Sequence, residues 1–211
     1  MRKGIFITFE GNDGSGKTTV SKQVYEALAK QGYDLLYTRE PGGIEIAEQI
    51  RKVILNPENT AMDARTEALL YAASRRQHLV ERILPALAEG RIVLCDRFVD
   101  SSLAYQGVGR GLGIDAVQRI NDFAIEGCMP DATIFLSVPL AVGLARVTQR
   151  GNLDRLDQEN YAFHERVASG YEQVTQRFAQ RIHVIDANRS PKEVIQDALE
   201  TCQRIITRIW K

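Results

Sequence analysis

Ile5-Phe6-Ile7-Thr8-Phe9-Glu10-Gly11-Asn12-Asp13-Gly14-Ser15-Gly16-Lys17-Thr18 passes from a continuous apolar, β-branched run into a glycine-rich stretch. The run suits a strand buried on both faces. From Gly11 to Thr18 the chain satisfies the pattern G-x-x-x-x-G-K-[ST]. Beyond it, Val20, Val24, Ala27 and Leu28 recur at helical spacing, and Gly32 stands where a helix would stop. Strand, glycine loop and helix together mark a phosphate-binding loop. Glycines let successive backbone N–H groups converge on phosphate oxygens, and the helix N-terminus adds the positive end of its dipole. Lys17 would bring a point charge to the β- and γ-phosphates, and the Thr18 hydroxyl could ligate Mg²⁺. Gly11, Asn12, Asp13, Gly14, Ser15, Gly16, Lys17, Thr18 and Thr19 are therefore assigned to a nucleoside polyphosphate. The loop does not reveal who receives the phosphoryl group.

Among the 211 residues, Lys plus Arg number 27 and Asp plus Glu 27, and no block of like charge stands out. That balance argues against a nucleic-acid or anionic-membrane surface, either of which needs a concentrated basic field. No run of about 18 apolar residues occurs, so no membrane span is expected. Met1-Arg2-Lys3 leads straight into the first strand rather than into a signal peptide, and a cytoplasmic protein is expected. Cys95, Cys128 and Cys202 are too widely spaced to suggest a zinc site, and their odd number does not suggest a disulfide framework.

Further strand-like runs at 34–38, 92–95, 133–138 and 182–185 alternate with amphipathic stretches at 44–55, 63–88, 115–126, 140–149, 158–179 and 191–210. Such alternation predicts an α/β fold, a five-stranded parallel sheet covered by helices on both faces. Ser190-Pro191-Lys192-Glu193 reads as a capped helix start, and Pro85 should end or kink the long helix before it. A single domain spanning 1–211 is expected, with a short lid at about 146–160. Ligands then belong beyond the carboxyl ends of the strands.

Several strand ends carry chemistry. Thr38-Arg39-Glu40-Pro41-Gly42-Gly43 pairs charged residues with a Pro- and Gly-rich turn, and taken alone it reads first as a turn with a solvated arginine. Asp96, leaving a buried strand beside the loop, suits a Mg²⁺-organising carboxylate, though a helix N-cap would look similar. Asp100 to Gly107 is dense in hydrogen-bonding groups. Arg75 and Arg76 could be surface charge or buried reach toward a ligand. Arg146, Arg150 and Arg155 bracket Gly151-Asn152, an arginine-bearing flap that could neutralise charge developing in phosphoryl transfer. His78, His164 and His183 form no triad or ligand spacing and are expected to be structural or surface residues.

Taken together, Phe9-Glu10-Gly11, Arg39-Glu40-Pro41-Gly42-Gly43, Asp96-Arg97-Phe98, Asp100-Ser101-Ser102-x-Ala104-Tyr105-Gln106-Gly107 and Arg150-Gly151-Asn152-x-Asp154-Arg155 resemble the bacterial thymidylate kinases, in the P-loop nucleoside monophosphate kinase superfamily. The resemblance spans essentially the whole chain. It implies transfer of the ATP γ-phosphoryl group to dTMP, giving dTDP and ADP, with Mg²⁺. By the same resemblance, Arg39 and Arg97 would bind the dTMP phosphate, and Asp13 would accept from the sugar 3′-hydroxyl. Tyr71 would stack on thymine, Arg75 would donate to a base carbonyl, and Ser102 and Gln106 would read the remaining base edge. Tyr105 would pack under the deoxyribose, Thr18 and Asp96 would serve Mg²⁺, and Glu159 would add an acidic contact in the flap. Lys17, Arg97, Arg150 and Arg155 are the implied catalytic cations. The eukaryotic branch carries an arginine where this chain has Gly14, so the charge should come from the flap, Arg150 first and Arg155 second. A homodimer and a strained or cis Glu40–Pro41 bond are also implied. The rival readings are a kinase of another nucleoside monophosphate, since thymine's methyl alters one contact, and a regulatory nucleotide-binding module. A GTPase switch is disfavoured, because no Asn-Lys-x-Asp occurs.

Overall fold

The computed structural model describes residues 3–151 and 153–211, with Arg150 described in its backbone alone. Its sheet has five parallel strands in the order β2-β3-β1-β4-β5, formed by β1 (Ile5–Glu10), β2 (Leu35–Arg39), β3 (Ile92–Asp96), β4 (Ala132–Ser137) and β5 (Ile182–Asp186). The expected α/β class is what the chain adopts. β1 lies between β3 and β4, and the glycine loop leaves it beside the end of β3, where Phe9 pairs with Asp96. That is the crevice at which open α/β sheets hold ligands.

Strand residues alternate between two cores, as a period of two requires. Ile5, Ile7 and Phe9 pack with α1 (Lys17–Lys30) and α9 (Pro191–Ile209) through Val20, Val24, Leu28, Ala198 and Ile205. Phe6 faces the other way, into a cluster with Leu79, Ile83, Phe98, Leu103, Phe163 and Tyr171. Burying a side chain of this size contributes roughly 1.5–3 kcal/mol. Also on that second face, Thr8 hydrogen-bonds Thr133 at 2.8 Å, and Thr133 donates to Asp100. Asp100 is paired with Arg181 at 2.5 Å, so this buried polar strip is internally satisfied.

The remaining elements are α2 (Glu45–Leu55), α3 (Ala64–His78), α4 (Leu84–Ala88), α5 (Val99–Ser102), α6 (Ile114–Ile125), α7 (Leu140–Arg150) and α8 (Tyr161–Arg177). Pro85 does not end the long helix. A π-helical turn at Leu79–Ile83 carries α3 into α4 and sets Pro85 at the start of the new helical segment, where its missing N–H costs least. A second π-helical turn, Leu103–Gly109, follows α5 and has no counterpart in the expected pattern. α9 starts with the expected capping box, Ser190 and Glu193 each satisfying the other's backbone N–H. Glu40–Pro41 is cis.

Candidate active site

A cavity of about 490 Å³ opens beyond the ends of β1, β2 and β3. It is the size of a small-molecule site. From the glycine loop, Asp13, Gly14, Gly16, Lys17, Thr18 and Thr19 line it, together with Arg39, Tyr71, Arg75, Asp96, Arg97, Ser102, Tyr105 and Gln106. Residues far apart in sequence are thus gathered on one wall.

Gly11 (φ 145), Gly14 (φ 74) and Gly16 (φ 89) take backbone conformations that side chains resist. Gly14 has a further reason to be glycine. A Cβ there would sit 2.1 Å from the Gly143 carbonyl oxygen of α7, and one on Gly143 would sit 2.5 Å from the Asp13 carbonyl. The loop therefore lies directly on α7, and an arginine at position 14 would displace that helix. Arg146 donates to the Gly14 carbonyl at 3.2 Å and lines the cavity, so a cation does reach the loop, from α7.

Lys17 is buried, and its ammonium donates to the Asn12 carbonyl at 2.9 Å. Burial and the neighbouring Arg97 charge lower its pKa to about 8. Thr18 donates to Asp96 Oδ2 at 2.5 Å, which leaves the hydroxyl oxygen and the second carboxylate oxygen as hard donors side by side. That set suits Mg²⁺, which takes one or two protein oxygens and completes its shell with water and phosphate. Among the described residues no cluster of three or more His, Cys, Asp or Glu offers a richer metal site.

Arg97 is the hub of the hydrogen bonds that line the cavity. Its backbone is left-handed (φ 70), which a non-glycine residue adopts at a cost of about 1–3 kcal/mol where neighbours hold it. The side chain explains the arrangement. Nη1 donates to Ser101 and to Tyr171, both at 3.1 Å, while Nη2 reaches Asp13 and Tyr105. Burial pushes the Asp13 carboxyl up, but Arg97 and Lys17 outweigh it and hold the pKa below the ordinary range. Tyr105 donates to Asp13 at 2.5 Å. Glu10 braces the same loop by accepting from the Phe98 and Ser101 N–H groups, the Ser101 hydroxyl and Tyr171.

Arg75 resolves the ambiguity of the Ser74-Arg75-Arg76 stretch. It is 2% exposed, donating to Glu40 at 2.7 Å, to Ser102 at 3.2 Å, to Asn121 and to the Phe98 carbonyl at 3.0 Å. A guanidinium has five N–H groups, so one on Nη2 remains for a ligand in the cavity. Arg76 is instead a surface partner of Glu126 at 2.9 Å. Buried His78 bridges Thr38 and Glu40, a structural place as expected.

Arg39 is half-buried, held by Glu48 at 2.7 Å and the Pro41 carbonyl at 3.0 Å. Arg51, which the sequence reading passed over inside α2, donates to the same carbonyl at 2.9 Å and lines the cavity. Its only sequence signal was position on an amphipathic helix, which does not distinguish a ligand-facing arginine from a solvated one. Asp154, Asp157 and Leu156 also face the cavity from the flap.

The two flap arginines fare differently. The Arg150 side chain and Asn152 lie outside the described residues. Arg155 does not line the cavity: it is buried, donating to Glu67 at 2.6 Å and to the Ile54 carbonyl at 2.8 Å, while its own N–H meets the Leu55 carbonyl. Glu159 pairs with Arg110 at 2.6 Å. In this structure both residues fasten the flap to α2, α3 and the second π-helical turn.

Comparison with known proteins agrees with the geometry. A family model described as thymidylate kinase matches residues 9–198. The chain is 58% identical over 208 residues to the thymidylate kinase of Bacillus velezensis, covering 98% of each chain. It is 53% identical over 199 residues to that of Clostridium novyi, covering 93% of this chain and 97% of the other. A solved structure of thymidylate kinase from Ehrlichia chaffeensis superimposes with a TM-score of 0.76 at 34% identity, over 95% of this chain and 99% of that one.

Proposed function

The chain belongs to the thymidylate kinase family, ATP-using phosphotransferases that act on dTMP, and we propose that it makes dTDP and ADP through the residues gathered at the ends of β1 and β3. The observation that carries the residue assignment is the shared wall: the phosphate loop and Arg97 meet through Asp13, so donor and acceptor phosphates fall side by side.

On this reading the loop N–H groups and Lys17 hold the ATP phosphates. Arg39 and Arg97 fork onto the dTMP phosphate. Asp13 takes the sugar hydroxyl, and its lowered pKa keeps it an acceptor. Tyr71 covers one face of the base, Arg75 offers its spare N–H to a base carbonyl, and Gln106 and Ser102 meet the remaining edge. Buried Tyr105 fills the space beneath the sugar, against a 2′-hydroxyl. Thr18 and Asp96 would hold Mg²⁺, which when bound neutralises charge on the phosphates. The chain works as a single domain in which residues 146–160 act as a lid, and it resides in the cytoplasm with its nucleotide substrates. It acts as a homodimer. Support comes from Leu69, Val80 and Leu84 on the α3–α4 rod and from Phe123 on neighbouring α6, which is 91% exposed. Ala72, Leu79 and Ile83 on the same rod are buried and add nothing to that surface.

Catalysis asks for positive charge where the transferred group passes, and Arg150 of the lid is assigned that task. Arg150→Ala should lower kcat on the order of a thousandfold, about 4 kcal/mol, with a far smaller change in KM for dTMP. A variant within about threefold of wild type, below the tenfold that ~1.4 kcal/mol represents, would remove Arg150 from the mechanism.

A further inference from the structure

Gln106 lines the cavity, and Glu67 stands directly behind it on α3, fully buried. Gln106 Nε2 donates to Glu67 Oε1 at 2.8 Å. Glu67 also accepts from Arg110 Nε at 3.2 Å on both oxygens and from Arg155 at 2.6 Å. Burial alone would raise the Glu67 pKa, but the hydrogen bonds from Arg110 and Gln106 outweigh it and hold the group below the ordinary carboxylate range.

An ionised carboxylate can only accept. The side of Gln106 that faces Glu67 must therefore be its NH₂, and a flipped amide would set oxygen against oxygen inside the protein. Gln106 Oε1 has no protein donor among the described residues and is not sealed from the cavity. We infer that Glu67 is a specificity-determining positioning residue: by clamping the Gln106 amide it fixes an acceptor toward the base and so selects pyrimidines that carry N3–H. Thymine and uracil offer that donor. Cytosine presents an unprotonated N3, which would face Oε1 acceptor to acceptor, and the amide cannot turn to meet it. Arg75 adds to the discrimination at the neighbouring position, where its spare N–H suits a carbonyl and opposes an exocyclic amine. Sites that hydrogen-bond a specific substrate group reject analogues lacking it far more strongly than apolar pockets do.

The inference rests on Gln106 as the base reader, so the experiment separates the two claims. The readout is the ratio of kcat/KM for dTMP to that for dCMP within one enzyme preparation, with dCMP taken as a competitive inhibitor where its turnover is too slow. Because the ratio is internal, loss of folded protein cancels. Glu67→Gln, whose own amide can meet either orientation of Gln106, should narrow the ratio by about tenfold or more. Arg110→Gln, which weakens the same cluster but leaves the Gln106–Glu67 bond, should leave the ratio within about threefold of wild type while lowering the melting temperature. A ratio unchanged in Glu67→Gln but narrowed in Gln106→Leu would overturn the role of Glu67 and keep Gln106 as reader. A ratio unchanged in Gln106→Leu as well would overturn both. An equal narrowing in Arg110→Gln would reduce Glu67 to general scaffolding. Should Glu67→Gln not fold, the wild-type protein still decides. The Gln106 side-chain amide signals, identified by their absence in Gln106→Leu, should be shielded from solvent exchange with and without dTMP. Exchange at the rate of a free side-chain amide would overturn the clamp.

Discussion

Lys17 carries the sharpest consequence at the residue scale. Its ammonium is buried beside Arg97, and burial first, then that like charge, lower its pKa to about 8. The protonated form predominates below that pH and is lost above it. kcat/KM for ATP reports the free enzyme, so it should fall about tenfold per pH unit above roughly 8. ATP phosphates restore the charge once bound, so kcat should hold to higher pH. A kcat/KM that stays level to about pH 9.5 would contradict the assignment of Lys17 as the phosphate cation. The loop's residue types were legible in sequence because the chemistry permits so few alternatives at Gly11, Gly16, Lys17 and Thr18. What the residues do to each other was not. Arg97 meets Asp13 across 84 positions and Tyr171 across 74, and such pairings exist only once the sheet has brought strand ends together.

The scale of elements shows where local pattern suffices and where packing takes over. All five strands and the capped start of α9 follow from periodicity and end signals, with boundaries shifted by a residue or so. The second π-helical turn did not show itself, because Ala104-Tyr105-Gln106-Gly107 reads as a polar loop with glycine in it. Its glycine content answers to tertiary contact. A Cβ on Gly109 would lie 2.8 Å from Val167, and one on Gly170 would lie 2.9 Å from Ala104, so α8 can approach this turn only where side chains are missing. That approach carries Tyr171 to Arg97 and Glu10. The long helix posed the opposite difficulty. Pro85 signals a break, yet a π-helical turn absorbs the missing hydrogen bond and the rod continues. The flap was legible as an arginine-rich stretch, but nothing in its spacing told which arginine would anchor it. Burial of Glu67 on α3 made Arg155 an anchor, a fact that no local window contains.

Across the whole molecule, a formal charge of zero hides a strongly organised interior. Lys17, Arg39, Arg51, Arg75, Arg97 and Arg146 converge on one cavity, with Asp13, Glu40 and Asp96 among them. Balanced composition therefore argued against a nucleic-acid surface without disclosing the anion site. The exposed apolar face on α3, α4 and α6 belongs to this scale too. Light scattering at micromolar protein should give twice the 23.7 kDa chain mass. Phe123→Ser should weaken that association, and a monomer mass for the unaltered chain would rule out the proposed dimer.

The central claim is that this cavity passes the ATP γ-phosphoryl group to dTMP. The most direct measurement is ADP release with Mg-ATP, run separately on dTMP, dUMP, UMP, CMP, thymidine and no acceptor. Turnover on dTMP well above every other acceptor is the predicted result. Faster turnover on another monophosphate would keep the phosphoryl-transfer wall and contradict the base pocket of Tyr71, Arg75 and Gln106. ADP release at one rate whatever the acceptor, or with none, would contradict the transfer itself.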